Sequence, residues 1–302
     1  MNPFTIVFDV GGTAIKAAVT TAQGEVIEST VETYPAHSDQ SKEFMLDHFY
    51  QLIRKQAAKI SDPNQTFAGV GYAYPGPCDY ERGISLIQGL QKFDALYGVS
   101  ILDAMRERID ADQALRSQMI PNYRIIFDND ARLFGVGQLF IGPANKADRA
   151  ICITIGTGTG SAFIDQGIAL KNKEIYARPF RNSMIDDYIS KRGVLRIAAE
   201  LGLPASLDVK DIADAARDQH DEQAIAVFRK FGEMFGQVLL PFMDEFGPKL
   251  VIIGGQIAKA SDLFLPYTRQ AMQDRAPEFH TVMNSSHSTF AGISALIQGY
   301  SE

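Results

Sequence analysis

Cysteine and histidine are scarce in this chain, with two and five residues respectively. Cys78 and Cys152 stand far apart, and no Cys-x-x-Cys pair or Cys/His cluster exists. A disulfide framework and a structural zinc site are therefore not expected, and a reducing, cytoplasmic setting is. No apolar run approaches the ~18 residues of a membrane-spanning helix, so no membrane association is expected. The opening MNPFTIVFDVGG lacks a basic start followed by a long apolar stretch, so no signal peptide is expected. Positive charge is also short: 29 Lys and Arg against 36 Asp and Glu give a net charge of −7. An acidic chain is a poor nucleic-acid binder by bulk electrostatics, although local dipoles can still hold a small anion.

What the chain does have is ordinary globular material, 46% apolar and 22% charged. A chain of 302 residues buries roughly three-quarters of its unfolded surface and is long enough for two domains of about 150 residues. Residues 4–10, 15–20 and 26–34 are rich in β-branched residues and broken by Gly11, Gly12 and Gly24, which predicts an antiparallel meander. Residues 41–60 carry apolar side chains at helical spacing, with Asp62 and Pro63 as the stop. Strands are predicted at 67–77 and 123–130, with short helices over 99–109 and from 131 onward. Residues 149–170 then repeat the opening pattern of strand, glycine turn, strand, turn, strand. A long core helix follows, with a stripe running from Ile225 through Phe228, Phe231, Phe235, Val238, Leu239 and Phe242 to Phe246. A strand at 249–261 ends in Gly254-Gly255, residues 280–290 read as a loop plus an edge strand, and 291–300 as a closing helix.

Three glycine turns follow buried strands: Gly11-Gly12-Thr13, Gly156-Thr157-Gly158-Thr159-Gly160 and Gly254-Gly255. Backbone N–H groups in such turns cradle phosphate oxygens, and the threonines add hydroxyl donors. None fits the P-loop or the dinucleotide-binding fingerprint. Asp9, at the end of the first strand, has the right placement to hold Mg²⁺ through water. In the segment FDNDAR, either Asp128 or Asp130 is a candidate general base for a hydroxyl proton.

FDVGGTAIKAAV, AYPGPCDYERGIS, FDNDARLFGVGQ, ITIGTGTGSAF and VIIGGQIAKAS occur in an order and at spacings that resemble the ROK family of sugar kinases, within the actin/hexokinase/Hsp70 ATPase superfamily. The resemblance runs from about residue 4 to residue 265. It implies an α/β fold of two ribonuclease H-like (actin-like ATPase) domains with an interdomain cleft, the first made of residues 1–128 and 290–302 and the second of 129–289. It implies an ATP-dependent kinase acting on a hydroxyl of a hexose or amino-hexose, with ATP and Mg²⁺ as cofactors, and a homodimer by family habit. At matching positions Asp9, Gly11, Gly12, Thr13 and Lys16 resemble the first phosphate motif, Gly156 to Gly160 with Thr157, Gly158 and Thr159 the second, and Gly254 and Gly255 the adenosine-side turn. Asn129 resembles the residue that bonds sugar hydroxyls and Asp130 the catalytic base. The segment GLQKFDALYGVS falls where the family has sugar-side loop contacts, which makes Gln88, Gly89 and Lys92 candidate acceptor contacts, or else the loop packs Phe93 and Tyr97 inward. One departure stands out. Family members commonly carry a Gly-Glu-x-Gly-His segment and then a Cys-rich zinc motif, and residues 170–193 contain neither His nor Cys. The chain resembles a member lacking the zinc motif, with Glu174 the one acid in place to replace the sugar-binding Glu. Three competing readings remain: a transcriptional repressor of the family, disfavoured because no helix-turn-helix is expected ahead of Asp9 and the chain is acidic; a sugar-sensing member without turnover; and an actin-like or Hsp70-like ATPase.

Overall fold

Strand β1 (Phe4–Val10) opens a five-stranded sheet because its even-numbered side chains, Ile6, Phe8 and Val10, are all apolar and buried together. The computed structural model describes residues 2–62, 64–171 and 173–300, so Pro63 lies outside the described residues. The chain divides into two compact units, Met1–Gly142 with Ser286–Glu302, and Pro143–Ser285.

In the first unit, β1 is followed by β2 (Ala14–Thr20), β3 (Glu32–Pro35), α1 (Lys42–Ala57), β4 (Phe67–Ala73), a small hairpin of β5 (Cys78–Asp79) and β6 (Ile84–Ser85), α2 (Ile101–Ala111), α3 (Gln113–Gln118), β7 (Met119–Asp128) and α4 (Asp130–Phe140). The order across the sheet is β3-β2-β1-β4-β7, antiparallel through the opening meander and parallel for β4 and β7. Phe8, Tyr72 and Phe127 are register partners on three adjacent strands and stack as a ladder, with ring centroids 5.0 and 4.6 Å apart. One residue further along each strand, Asp9, Ala73 and Asp128 fall in register. The ladder thereby fixes the level at which the strand-end carboxylates stand.

The third strand is shorter than the sequence predicts. The buried Thr30 hydroxyl accepts from the Val19 N–H (2.8 Å) and donates to the Ile27 carbonyl (2.6 Å), which replaces sheet pairing over a turn of 3₁₀ helix at Glu28–Thr30. Helix α1 starts where Ser41 caps the Phe44 N–H and ends at Ala57, ahead of the expected stop.

The second unit contains β8 (Arg149–Ile155), β9 (Thr159–Asp165), β10 (Ile168–Leu170), the hairpin β11 (Pro179–Phe180) and β12 (Ser183–Met184), α5 (Asp186–Ile189), α6 (Lys191–Glu200), α7 (Val209–Asp218), α8 (Glu222–Glu245), β13 (Leu250–Gly254), α9 (Ser261–Met272) and β14 (Glu278–Thr281). Its sheet order is β10-β9-β8-β13-β14, the same antiparallel meander with two parallel strands added. The repeated hairpin read from the sequence is thus part of a repeated sheet. Helix α8 buries the expected stripe from Phe228 to Phe242.

Helix α10 (Ser285–Ile297) returns to the first unit. It begins six residues before the expected closing helix, so most of the predicted polar loop at 280–290 is helix and only Glu278–Thr281 is edge strand. The expected division at residue 128 placed α4 in the second domain, whereas α4 belongs to the first unit. The reason is a seam with α10. A Cβ on Gly137 would stand 1.8 Å from the Ser288 carbonyl oxygen, and one on Gly292 would stand 2.0 Å from that of Leu133. Only glycine lets the two helices approach this closely. Leu133, Phe290, Ile293 and Ile297 then cover the face of the first sheet that carries Val7.

Candidate active site

Asp9 shares that face with Val7, so its carboxylate meets the start of α10. Lys16, its register partner on β2, donates from Nζ to the Ser286 Oγ (2.9 Å), and the Ser286 hydroxyl lies 3.3 Å from Asp9 Oδ2. Burial, and next the charge of Asp130, push the Asp9 carboxyl up from 3.8 to about 6, against the opposing pull of Lys16 and Ser286. Ser286 has no counterpart in the sequence reading. It lies in a run of serines that reads as a loop, and only the early start of α10 brings it to Asp9.

The end of β7 separates the two aspartates the sequence left open. Asp128 is buried, accepts from the Asn129 N–H (2.7 Å) and pairs with Arg132 one helical turn on. Asn129 caps α4, its Oδ1 accepting from the N–H groups of Ala131 (3.0 Å) and Arg132 (3.2 Å). Asp130, the first residue of α4, presents its side chain to solvent. The protein around it nevertheless displaces enough bulk water that desolvation raises its carboxyl, outweighing the Ala131 N–H and its own, which lower it. With Oδ1 occupied as the cap, Asn129 has its amide N–H groups left, and they reach the Tyr80 hydroxyl. Tyr80 in turn donates to the Tyr74 carbonyl (3.3 Å). A tyrosine shortly after a Pro-Gly-Pro turn carries no spacing signal, so this support was invisible in the sequence.

At the first glycine turn the Gly11 N–H closes on the Ala14 carbonyl (2.9 Å), and Thr13 is exposed. Lys16, expected at a phosphate, donates to Ser286. Gln88 and Gly89 are exposed on the loop after β6, and the Lys92 side chain of the same loop lies against Gly12.

In the second unit the Gly156–Gly160 turn is closed by the Gly156 N–H on the Gly158 carbonyl (2.9 Å). Its two threonines differ. Thr157 is exposed, whereas Thr159 is buried, with its N–H donated to Asp186 (2.6 Å) and its hydroxyl to the Ile189 carbonyl (3.3 Å). Thr159 therefore braces the turn, and Thr157 is the threonine that offers a hydroxyl. Gly255 has φ of 90°, and a Cβ there would stand 2.3 Å from the Ile155 carbonyl oxygen, so glycine is needed both for conformation and for clearance. Glu174 is exposed and accepts from the Tyr176 hydroxyl; burial first, and next the Glu174 charge and hydrogen bond, raise the phenol. The segment that departs from the family pattern forms the β11–β12 hairpin and the two helices α5 and α6, broken at Ser190. Among the described residues no three His, Cys, Asp or Glu side chains form a group able to hold a metal ion, and no helix is long and apolar enough to cross a membrane.

One end of the first sheet thus gathers a solvent-facing carboxylate of raised proton affinity, a second raised carboxylate flanked by a lysine, and a glycine turn. Such a set can accept a proton from a hydroxyl and attract a cation.

The ROK family signature matches residues 5–173 and 181–297 of this chain. A glucokinase of Thermotoga maritima is 21% identical over 295 residues, covering 88% of this chain and 86% of its own. A ROK family glucokinase from Streptomyces griseus, solved with glucose and AMPPNP, superposes with a TM-score of 0.72 at 19% identity, over 96% of this chain and 98% of its own. A ROK family transcriptional regulator, a homologue of the E. coli MLC protein, gives 0.79 at 16% identity, over 99% of this chain and 79% of its own. The repeated sheet is that of the two-domain actin-like ATPase fold. With the family signature spanning nearly the whole sequence and the fold shared throughout, this chain belongs to the ROK family.

Proposed function

We propose that the protein is an ATP-dependent sugar kinase that transfers the γ-phosphoryl group to a hydroxyl of a hexose or amino-hexose. The observation that carries this reading is Asp130: a solvent-facing carboxylate with raised proton affinity, placed by the Asn129 cap at the start of α4. An ordinary surface aspartate holds a proton too weakly to serve as a base of matched strength; desolvation moves this one the right way. The glucokinases among its relatives support the substrate class.

Asn129 donates its amide N–H to one sugar hydroxyl and so orients the acceptor. The acceptor oxygen attacks the γ-phosphorus while its proton passes to an Asp130 carboxylate oxygen. The bond from that phosphorus to the β,γ-bridging oxygen breaks, and the electron pair leaves with ADP. Positioning and charge stabilisation do the remaining work. Gly11, Gly12 and Thr13 offer donors for phosphate oxygens, and so, by themselves, do Gly156, Thr157 and Gly158; the family resemblance assigns Gly254 and Gly255 to the adenosine and Glu174 to the sugar. The raised Asp9 carboxyl marks a negative charge that lacks full compensation, which fits a hydrated Mg²⁺. Bound there, the ion would neutralise phosphate charge.

ATP consumption measured against a panel of hexoses tests the reading. At least one sugar should stimulate turnover, and Asp130→Asn should lower kcat by about 10²–10⁴-fold while leaving ATP affinity unchanged. Sugar-independent hydrolysis would favour an ATPase, and sugar binding without turnover a sensor.

A further inference from the structure

The Lys92 side chain of the loop after β6 reaches the first glycine turn, and the loop backbone around it is braced. The Asp94 carboxylate accepts from the N–H groups of Leu90 (3.3 Å) and Gln91 (3.0 Å). The Phe93 N–H donates to the Ser38 carbonyl (2.6 Å), and the Ser38 hydroxyl donates to the Gly12 carbonyl (2.6 Å). The Phe93 ring is buried, 5.5 Å from Tyr74. The backbone on either side of Lys92 is thus fixed, on the Phe93 side through a chain of bonds that ends on Gly12 itself.

Gly12 shows where the ammonium lies. Its backbone is outside the left-handed region, so conformation does not demand glycine. A Cβ there would stand 2.4 Å from Lys92 Cδ and 3.1 Å from Nζ, so the flexible end of the Lys92 side chain lies over the turn. The stem of Lys92 occupies the room a side chain would take. Among the described residues no hydrogen bond or ion pair engages the Lys92 ammonium, whereas Lys16 is held by Ser286. The same end of the sheet carries two carboxylates, Asp9 and Asp130, with Lys16 held beside Asp9, and Lys92 is the cation set over the glycine turn.

We propose that Lys92 is a catalytic residue whose ammonium contacts the γ-phosphoryl oxygens of the nucleotide at the Gly11–Thr13 turn. This rests on the kinase reading. Lys92 makes and breaks no covalent bond; its three N–H donors meet the equatorial oxygens of the group in flight while the acceptor oxygen replaces ADP on phosphorus. Because the loop also carries the exposed Gln88, the same segment ties the acceptor side to the phosphate side.

The test is calorimetric binding of Mg-ATP and Mg-ADP, without sugar, to the wild-type protein, Lys92→Gln and Lys92→Arg. A lost charge-assisted contact to the γ-phosphoryl group should weaken ATP binding to Lys92→Gln by about tenfold or more and leave ADP binding within about twofold. Lys92→Arg should recover most of the ATP affinity, and Lys92→Gln should lower kcat without raising the KM for sugar. An unchanged melting temperature is expected, because the side chain is exposed. Equal effects on ATP and ADP, no effect on either, or a rise in sugar KM alone would overturn the assignment while leaving the kinase reading intact. Failure of the wild-type protein to bind either nucleotide would overturn both.

Discussion

Asp9 and Asp128 end β1 and β7, the two strands on either side of β4, and their environments differ. Asp9 ionises against burial and the nearby Asp130 charge, so its folded pKa of about 6 lies above the ordinary 3.8. Between those values the folded protein holds the extra proton, so stability falls as pH rises through this window. The full penalty, about 3 kcal/mol, applies above pH 6, and none applies below the ordinary value. Asp9→Asn removes the charge, so it should raise the melting temperature of the ligand-free protein by several degrees at pH 7.5 and leave it unchanged near pH 4. A gain of the same size at both pH values would place the cause elsewhere. Asp128 has the opposite character: it is buried and paired with Arg132. Removing one partner strands the other, so Asp128→Asn should cost about 3 kcal/mol in urea unfolding, with kcat changed far less than by Asp130→Asn. The sequence offered both acids as bases because alternation cannot tell a carboxylate facing solvent from one that closes an ion pair a turn later.

Elements were legible where their pattern was local. β1, β7, β8 and α8 announce themselves through β-branched runs or a 3.6-residue stripe, and the glycines after β1, β8 and β13 mark real turns. Elements were missed where polar side chains have buried partners elsewhere in the chain. The serines that open α10 read as a loop, yet Ser286 bonds Lys16 and Ser288 accepts from the Gln138 amide (2.7 Å). Thr30 likewise replaces strand with turn through a partner eleven residues back, at Val19. Lys92 was legible as a candidate contact but not in its position over Gly12, which depends on Ser38 and Phe93. The α4–α10 seam carries a test of its own. Alanine is a better helix former than glycine by ~1 kcal/mol, so propensity alone makes Gly292→Ala stabilising. The new Cβ would meet the Leu133 carbonyl, backbone that cannot swing aside, and the helices would have to part. Net destabilisation of ~1–3 kcal/mol is expected in chemical unfolding. Because α10 carries Ser286 and α4 carries Asp130, kcat should fall as well. A stabilised, fully active Gly292→Ala protein would mean that the seam is looser than described.

At the scale of the whole molecule, one sheet topology is used twice with little shared sequence, which is why the repeat could be read as an order of strands and turns but not as an alignment. Each unit has its own apolar core: α8, α9 and the β8–β13 strands in one, and the Phe8–Tyr72–Phe127 ladder with α1 and α2 in the other. The two differ in chain continuity. The second unit is one stretch, Pro143–Ser285, whereas the first needs the C-terminal helix. Without α10 the sheet face that carries Val7 loses Phe290, Ile293 and Ile297, and Asp9 and Lys16 lose Ser286. Exposing three large apolar side chains' worth of core costs several kcal/mol, at ~1.5–3 kcal/mol each, against a typical total stability of 5–15 kcal/mol. A fragment of residues 143–285 should therefore fold alone, with dispersed amide resonances and cooperative melting. A chain truncated after residue 285 should show one cooperative transition, from its second unit, while the first part stays protease-sensitive. Adding back a peptide of residues 286–302 should restore protection to the first part if the missing cover is the cause. Full protection of the truncated chain without the peptide would show that the sheet closes its own core and that α10 serves only to deliver Ser286.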